Sequence, residues 1–114
     1  MEVVSNFILE KKIDSFQKLR LLLYLTQHPD MAGTSEQFGQ QLFISDSRLM
    51  EEIINGLRGA GLVDVSGQRY VLHDDPVVML TLKRLNRLYD DPVSRQRLLD
   101  HVRGPSSARV VAGW

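Results

Sequence analysis

The pattern of apolar and polar residues between Thr34 and Leu72 predicts a helix, a tight turn, a second helix and a β-hairpin. Thr34 is a favourable N-cap, and Gln37 three residues later can complete a capping box at the start of the first helix. Gly39 interrupts that helix, for which a close approach between two helices is the expected reason. Phe43 and Ile44 then carry the chain through the turn.

The second helix begins after Ser45, which is a second candidate N-cap. Apolar residues recur along it at four-residue spacing, as on the buried face of an amphipathic helix, at Leu49, Ile53 and Leu57. Glycines at positions 59 and 61 are expected to end it. Two alternating segments joined through Ser66-Gly67-Gln68 then predict a two-stranded hairpin.

The flanking segments also have helical periodicity. The first twelve residues form an amphipathic pattern whose apolar face can cover either the chain's own core or a partner subunit. A capping box from Asp14 to Gln17 opens an almost entirely apolar helix, which should be the buried centre of the fold. Asp-Asp-Pro sequences at 74–76 and 90–92 mark the starts of two further helices.

The order helix, turn, helix, GLRGAGLV and hairpin resembles the winged helix-turn-helix domain of bacterial transcription regulators, broadly of the MarR and ArsR kinds. The likeness is carried by these residues: Thr34, Phe38, Leu42, Ile44, Ser45, Leu49, Ile53, Leu57, Gly61, Leu62, Val63 and Tyr70 to Leu72. It implies a mainly α fold, a winged helix-turn-helix with a small two-stranded β-hairpin wing and extra N- and C-terminal helices. Because winged helices also serve as protein-interaction modules, it indicates fold more specifically than activity.

Length and composition are those of one soluble globular domain. The chain has 114 residues, of which 43% are hydrophobic and 25% charged. We expect a single domain over residues 1–104 and a flexible tail over 105–114. The chain contains no cysteine, which excludes disulfides and thiolate metal sites. No apolar run approaches ~20 residues and the N-terminus lacks the features of a signal peptide, so a cytoplasmic protein with no membrane contact is expected.

Catalytic and metal-binding chemistry find little support in the sequence. The three histidines lie in separate predicted elements without a second ligand at helical spacing. Helix capping accounts for the paired aspartates before Pro76 and Pro92. We therefore predict no catalytic residues, no cofactor and no metal.

Binding of double-stranded DNA requires hydrogen-bond donors on the second helix and at the hairpin tip. Arginine in the first turn of such a helix is a usual partner of guanine in the major groove. The predicted DNA-binding residues are Thr34, Ser45, Ser47, Arg48, Asn55, Arg58, Gln68 and Arg69. Each of them also has a simpler structural explanation, such as a cap or a surface ion pair, so the prediction depends on their joint arrangement.

The distribution of charge weakens the DNA hypothesis. Residues 34–72 carry three cations and five anions, a net charge of −2, whereas residues 73–114 carry seven cations and five anions, a net charge of +2. A net negative binding surface gains little from counterion release. The leading prediction is a DNA-binding transcription regulator, and the alternative is a winged-helix adaptor that binds another protein and not DNA.

A homodimer would double the number of DNA contacts. The helix after the hairpin presents apolar residues at 4-3-4 spacing, and the N-terminal segment adds further apolar residues. The predicted dimer interface consists of Val78, Leu82, Leu85 and Tyr89, with Val3, Phe7 and Ile8. Leu22 and Leu57 are predicted to be fully buried in the core of each subunit.

Overall fold

A computed structural model describes the backbone of residues 2–112 and the side chains of residues 3–102. Over these residues the protein is mainly helical and contains a two-stranded antiparallel sheet. The elements are α1 (Glu2–Glu10), α2 (Phe16–Gln27), α3 (Ser35–Leu42), α4 (Ser47–Gly59), β1 (Val63–Ser66), β2 (Arg69–Leu72), α5 (Pro76–Asp90) and α6 (Pro92–Ala112).

Helix α2 is the centre of the fold, as its apolar sequence predicts. It packs against α3, α4, α5, α6 and β2. Leu22 on α2 and Leu57 near the end of α4 are both fully buried, which confirms the prediction for these two residues. Burial of this kind is the main contribution to the stability of so small a domain.

The N-terminal helix belongs to the chain's own core. Helix α1 packs on α5 and α6, and Phe7 and Ile8 are buried there while Val3 remains exposed. Of the two roles considered for this segment, the structure therefore assigns Phe7 and Ile8 to the subunit interior.

The apolar face of α5 is also turned inward. Leu82 and Leu85 are fully buried against the rest of the chain, and Val78 and Tyr89 are half-buried. A buried side chain offers no surface to a second copy, so the assignment of Leu82 and Leu85 to a dimer interface is wrong. The error arises because a regular apolar stripe indicates burial without indicating what buries it.

Helix starts follow the capping rules, with two shifts of one residue. The predicted capping box at α3 is present: the Gln37 N–H donates to Thr34 Oγ1 over 3.2 Å, and the Thr34 N–H donates to Gln37 Oε1 over 2.9 Å. Helix α2 is capped by Ser15 in place of Asp14, and α4 by Asp46 in place of Ser45. In both pairs the neighbouring side chains are competent caps, and the backbone turn selects the second.

The hairpin pairs Val63 with Leu72 at its base and Ser66 with Arg69 at its tip. A bridge between Gly33 and Tyr70, with N–H···O distances of 3.0 and 2.7 Å, ties the hairpin to the loop before α3. Because Gly33 directly precedes Thr34, the N-cap of α3, this bridge fixes the position of the hairpin relative to α3.

Helix α6 begins at Pro92 and its backbone continues to Ala112. The side chains from residue 103 onward lie outside the described residues. The described backbone of residues 105–112 is helical and continues α6, and residues 113–114 lie outside the described part of the chain. The flexibility of the tail over 105–114 stays a prediction.

Candidate functional site

The turn between α3 and α4 is closed by two backbone hydrogen bonds. The Ile44 N–H donates to the Gly39 carbonyl over 2.8 Å, and the Phe43 N–H donates to the Gln40 carbonyl over 3.4 Å. Phe43 adopts the left-handed conformation with φ 58° and ψ 37°. This is the Schellman arrangement, in which the left-handed residue after a helix is usually glycine.

Phe43 combines an unfavourable backbone conformation with an unfavourable environment. A left-handed conformation costs an L-residue about 1–2 kcal/mol. The residue is 91% exposed, so burial within the subunit does not offset that cost. Sequence reasoning placed Phe43 in the turn but did not identify it as a functional residue. The sequence did hold one signal that could have identified Phe43: an aromatic residue stands directly after the first helix, where a glycine is usual.

A cleft of about 750 Å³ lies beside Phe43, between α3 and the start of α4. Gly39, Ile44 and Met50 are among the residues that line it. Among the described residues that line the cleft, Glu36 is the one with a charged side chain. We call this feature, together with Phe43, the α3–α4 cleft; it is an open, mainly apolar surface with negative charge at its rim.

Helix α4 separates a buried side from a polar exposed side. Met50, Ile53, Ile54 and Leu57 face the core. The predicted DNA-binding residues of this region are exposed, namely Ser45, Ser47, Arg48, Asn55 and Arg58. Glu51 and Glu52 are exposed on the same helix, so the polar side carries charges of both signs.

Thr34 differs from the other predicted contacts. Its side chain is half-buried, and its hydroxyl oxygen accepts the hydrogen bond from Gln37 described above. The structure thus gives Thr34 a capping role that is independent of any ligand.

The hairpin tip carries the other two predicted contacts. Gly67 and Gln68 form its two-residue loop, and Gly67 has φ of 63°, which glycine adopts without strain. Gln68 and Arg69 are exposed at this tip. They belong to a different element from Arg48, and the sequence-predicted contacts therefore divide between the α4 surface and the hairpin.

Arg48 and Arg69 are not held by carboxylates in the described part of the chain, so both side chains are free to contact a ligand. Among residues 3–102 the ion pairs join Lys18 to Asp14 and His73 to Asp64, and neither Arg48 nor Arg69 takes part in one. Arg48 is therefore not paired with Glu51 or Glu52 on its own helix in the described part of the chain.

The His73–Asp64 pair lies at the base of the hairpin. His73 Nδ1 is 2.8 Å from Asp64 Oδ2, and the His73 backbone N–H donates to the Leu62 carbonyl over 2.9 Å. The hydrogen bond and the negative charge of Asp64 raise the pKa of His73, with smaller contributions from Asp75 and Asp74. Protonation of His73 therefore strengthens a contact between β1 and the residue that follows β2.

A second exposed surface follows the outer side of α5. Val77 and Leu80 are 73% and 70% exposed, although both are large apolar residues. Lys83, Arg84 and Arg87 are exposed further along the helix. We call these five residues the α5 stripe. It lies on the side of α5 away from the buried Leu82 and Leu85, and sequence reasoning, which followed the buried face, missed it.

No family model matches this chain, and neither the curated proteins nor the solved structures contain a significant match to it. Within the described residues, none of the helices has both the length and the apolar character needed to cross a bilayer. The same part of the chain contains no group of three or more His, Cys, Asp or Glu residues placed to bind a metal ion.

Proposed function

We propose that the protein is a winged helix-turn-helix that binds double-stranded DNA, with α3 and α4 as the helix-turn-helix and the β1–β2 hairpin as the wing. The observation that supports this function best is the joint exposure of Ser47, Arg48 and Asn55 on α4 and of Arg69 at the hairpin tip. Helix α4 would lie in the major groove and the hairpin against the adjacent phosphate backbone. The resemblance of residues 34–72 to the winged helix-turn-helix domain of bacterial transcription regulators supports a role in transcription regulation.

The residues would have distinct tasks in such a complex. Arg48, in the first turn of α4, would reach a base edge or a phosphate, and Asn55 two turns later would read a second position. Arg58 and Arg69 would contact phosphates and fix the orientation of the protein. Ser45 and Ser47 would donate hydrogen bonds to the backbone at the start of the helix, and Gln68 would contact DNA beside the wing.

The charge of the surface sets the expected affinity. Glu51 and Glu52 lie on the exposed side of the same helix as Arg48, and the segment 34–72 has a net charge of −2. Few phosphate contacts are then available, so binding should be weak for one subunit. A homodimer would double the number of contacts; its interface would have to use surfaces other than Leu82 and Leu85.

Fluorescence anisotropy with labelled duplexes tests this proposal. Genomic fragments and a random-sequence duplex of equal length are titrated with protein between about 50 and 200 mM salt. Binding at the lowest salt that weakens linearly on a logarithmic salt scale is the expected result. Absence of binding at about 50 mM salt, where screening is least, would exclude DNA as the ligand.

A second function, recognition of a protein, is favoured by one specific observation. Phe43 is the most exposed residue of the mainly apolar α3–α4 cleft among the large apolar residues that line it. Large exposed aromatic residues are frequent anchors of protein interfaces. Under this alternative the fold is an adaptor and α4 does not enter a groove of DNA. Phe43→Gly would then abolish partner binding, whereas the same change would leave the salt dependence of DNA binding unaltered, because it removes no charge.

A further inference from the structure

We infer that two copies of this chain associate head to tail, with the α5 stripe of one copy seated on the α3–α4 cleft of the other. Both surfaces are apolar and exposed; the α3–α4 cleft lies next to negative charge and the α5 stripe next to positive charge. This inference does not depend on DNA binding, because it concerns the protein alone.

The apolar parts of the two surfaces match in kind and size. Val77 and Leu80 are three residues apart on α5, so they lie on one side of the helix about one turn from each other. The α3–α4 cleft offers the exposed Phe43 and the half-buried Ile44 to such a pair. An amphipathic helix that places apolar residues at i and i+3 into an apolar groove is a recurring mode of recognition.

The charged parts of the two surfaces are complementary. Glu36 lines the cleft, and Asp46 and Glu51 are exposed at the start and in the second turn of α4. Arg48 is exposed between them, but residues 36–52 carry four anions and one cation, so this region is negative overall. The α5 stripe carries Lys83, Arg84 and Arg87, and the sequence from Pro76 to Tyr89 contains no acidic residue. Opposite charges around an apolar contact favour one partner and one orientation over others.

The position of the two surfaces determines the type of association. Helices α4 and α5 both pack on α2 and present separate surfaces, so a copy bound through its stripe still has a free cleft. The contact is heterologous, and further copies can add unless the arrangement closes into a ring. The contact also covers Ser45 and Ser47, so self-association and the proposed DNA complex would exclude each other.

Sedimentation velocity of the whole protein over a range of concentrations, in low-salt buffer, tests the inference. The unmodified protein should show a weight-average mass that rises with concentration and falls on addition of salt. Phe43→Gly removes the cleft anchor, and Leu80→Asp places a carboxylate in the apolar part of the stripe. Each variant alone should associate at least about tenfold more weakly. Leu9→Asp, at another exposed leucine on α1, is the matched control and should associate like the unmodified protein.

A mixture of the two variants gives the decisive measurement. The Phe43→Gly protein keeps its stripe and the Leu80→Asp protein keeps its cleft, so together they should form one contact and a 1:1 dimer that does not grow further. Charge reversal offers an independent test: Glu51→Lys and Arg84→Glu should each weaken association, and the mixture should recover it. Circular dichroism establishes that each variant is folded. A monomer at all concentrations, association unaffected by either variant, or a mixture that remains monomeric would each overturn the inference.

Discussion

The carbonyl oxygen of Ile44 lies 2.8 Å from the position that a Cβ atom on Gly39 would occupy. The same pair is joined by the hydrogen bond from the Ile44 N–H to the Gly39 carbonyl, also 2.8 Å long. The close approach that explains this glycine is therefore between α3 and the backbone of its own turn, rather than between two helices. Since backbone atoms form both sides of the contact, the turn can relax little.

Replacing Gly39 with alanine should lower the free energy of unfolding by ~1–3 kcal/mol, because the added methyl group forces the α3–α4 turn apart. Gly59→Ala is a suitable control: apart from its chain neighbours and its own helix backbone, no atom lies within 4 Å of its Cβ position, and its φ is not positive. It should raise stability by ~0.5–1 kcal/mol through the higher helix propensity of alanine. Urea denaturation of both variants measures the difference, and equal effects would show that the turn tolerates the methyl group.

Local signals allowed much of this fold to be predicted from the sequence. The capping box at Thr34 and the Asp75-Pro76 helix start depend on residues within one turn of each other, and both are found as predicted. The two caps displaced by one residue, at Ser15 and Asp46, show where local rules stop: adjacent competent side chains compete, and the path of the whole chain decides between them.

Features that depend on tertiary packing could not be predicted in the same way. The periodicity of α5 correctly indicated that Leu82 and Leu85 are buried, but it could not distinguish the subunit's own core from a partner. The exposure of Phe43 was also hidden, because an apolar residue in a turn is ordinarily expected to pack inward. The eight predicted DNA contacts were chosen for their polarity. The structure places seven of them on the surface, and the DNA complex itself remains a prediction.

Truncation of the core should be far more costly than truncation of an exposed residue of equal size. Leu22→Ala and Leu57→Ala should each reduce the free energy of unfolding by ~2–5 kcal/mol, because both side chains are fully buried. Leu80→Ala provides the matched control and should cost less than ~0.5 kcal/mol in the monomer, since Leu80 is largely exposed. A loss below about 1 kcal/mol at both buried positions would contradict the packing of α2 and α4 described above.

Phe43→Gly should stabilise the monomer even though it removes a large side chain. Glycine adopts the left-handed conformation without the steric cost paid by phenylalanine, and the exposed ring contributes little burial. The expected gain in the free energy of unfolding is ~0.5–1 kcal/mol after allowance for the greater flexibility of glycine in the unfolded chain. Phe43→Ala retains the strained backbone and should lack this gain. Thermal unfolding at low protein concentration, where self-association is absent, separates the two variants.

The contact between His73 and Asp64 should make the stability of the hairpin depend on pH. The pKa of His73 is raised in the folded protein, so the protonated form binds Asp64 more favourably than the neutral form does. Its stabilising contribution is complete below the unfolded-state pKa of about 6.5 and is lost as the pH rises through the higher folded-state pKa. Asp64→Asn should move the pKa of His73 down towards its ordinary value.

An NMR titration of the His73 ring measures this pKa directly. Asp74→Asn is the control, because Asp74 makes the smallest of the contributions that raise the pKa and accepts no hydrogen bond from the ring. It should shift the titration less than Asp64→Asn does. Equal shifts for the two variants would mean that general negative charge, rather than the hydrogen bond to Asp64, controls the protonation of His73.

Arg48 and Arg69 should affect DNA binding in different ways if the proposed function is correct. Arg48 lies in the first turn of α4, so loss of a base contact in the Arg48→Ala protein should weaken specific binding by ~1–3 kcal/mol and relax preference at one base pair. Arg69 lies at the hairpin tip, where a phosphate contact is expected. Arg69→Ala should weaken binding to all sequences alike and reduce the salt slope by about one unit.

Both side chains are exposed and neither forms an ion pair within residues 3–102, so the two substitutions should leave the unfolding transition unchanged. Arg20→Ala is a control for loss of a cation, since Arg20 stacks over the ring of Phe16 on α2 and is not among the predicted contacts. Anisotropy titrations of the three variants against one specific and one random duplex compare them directly. Equal effects of Arg20→Ala and Arg48→Ala on the specific duplex would mean that total charge governs binding, and that α4 does not read the sequence of the DNA.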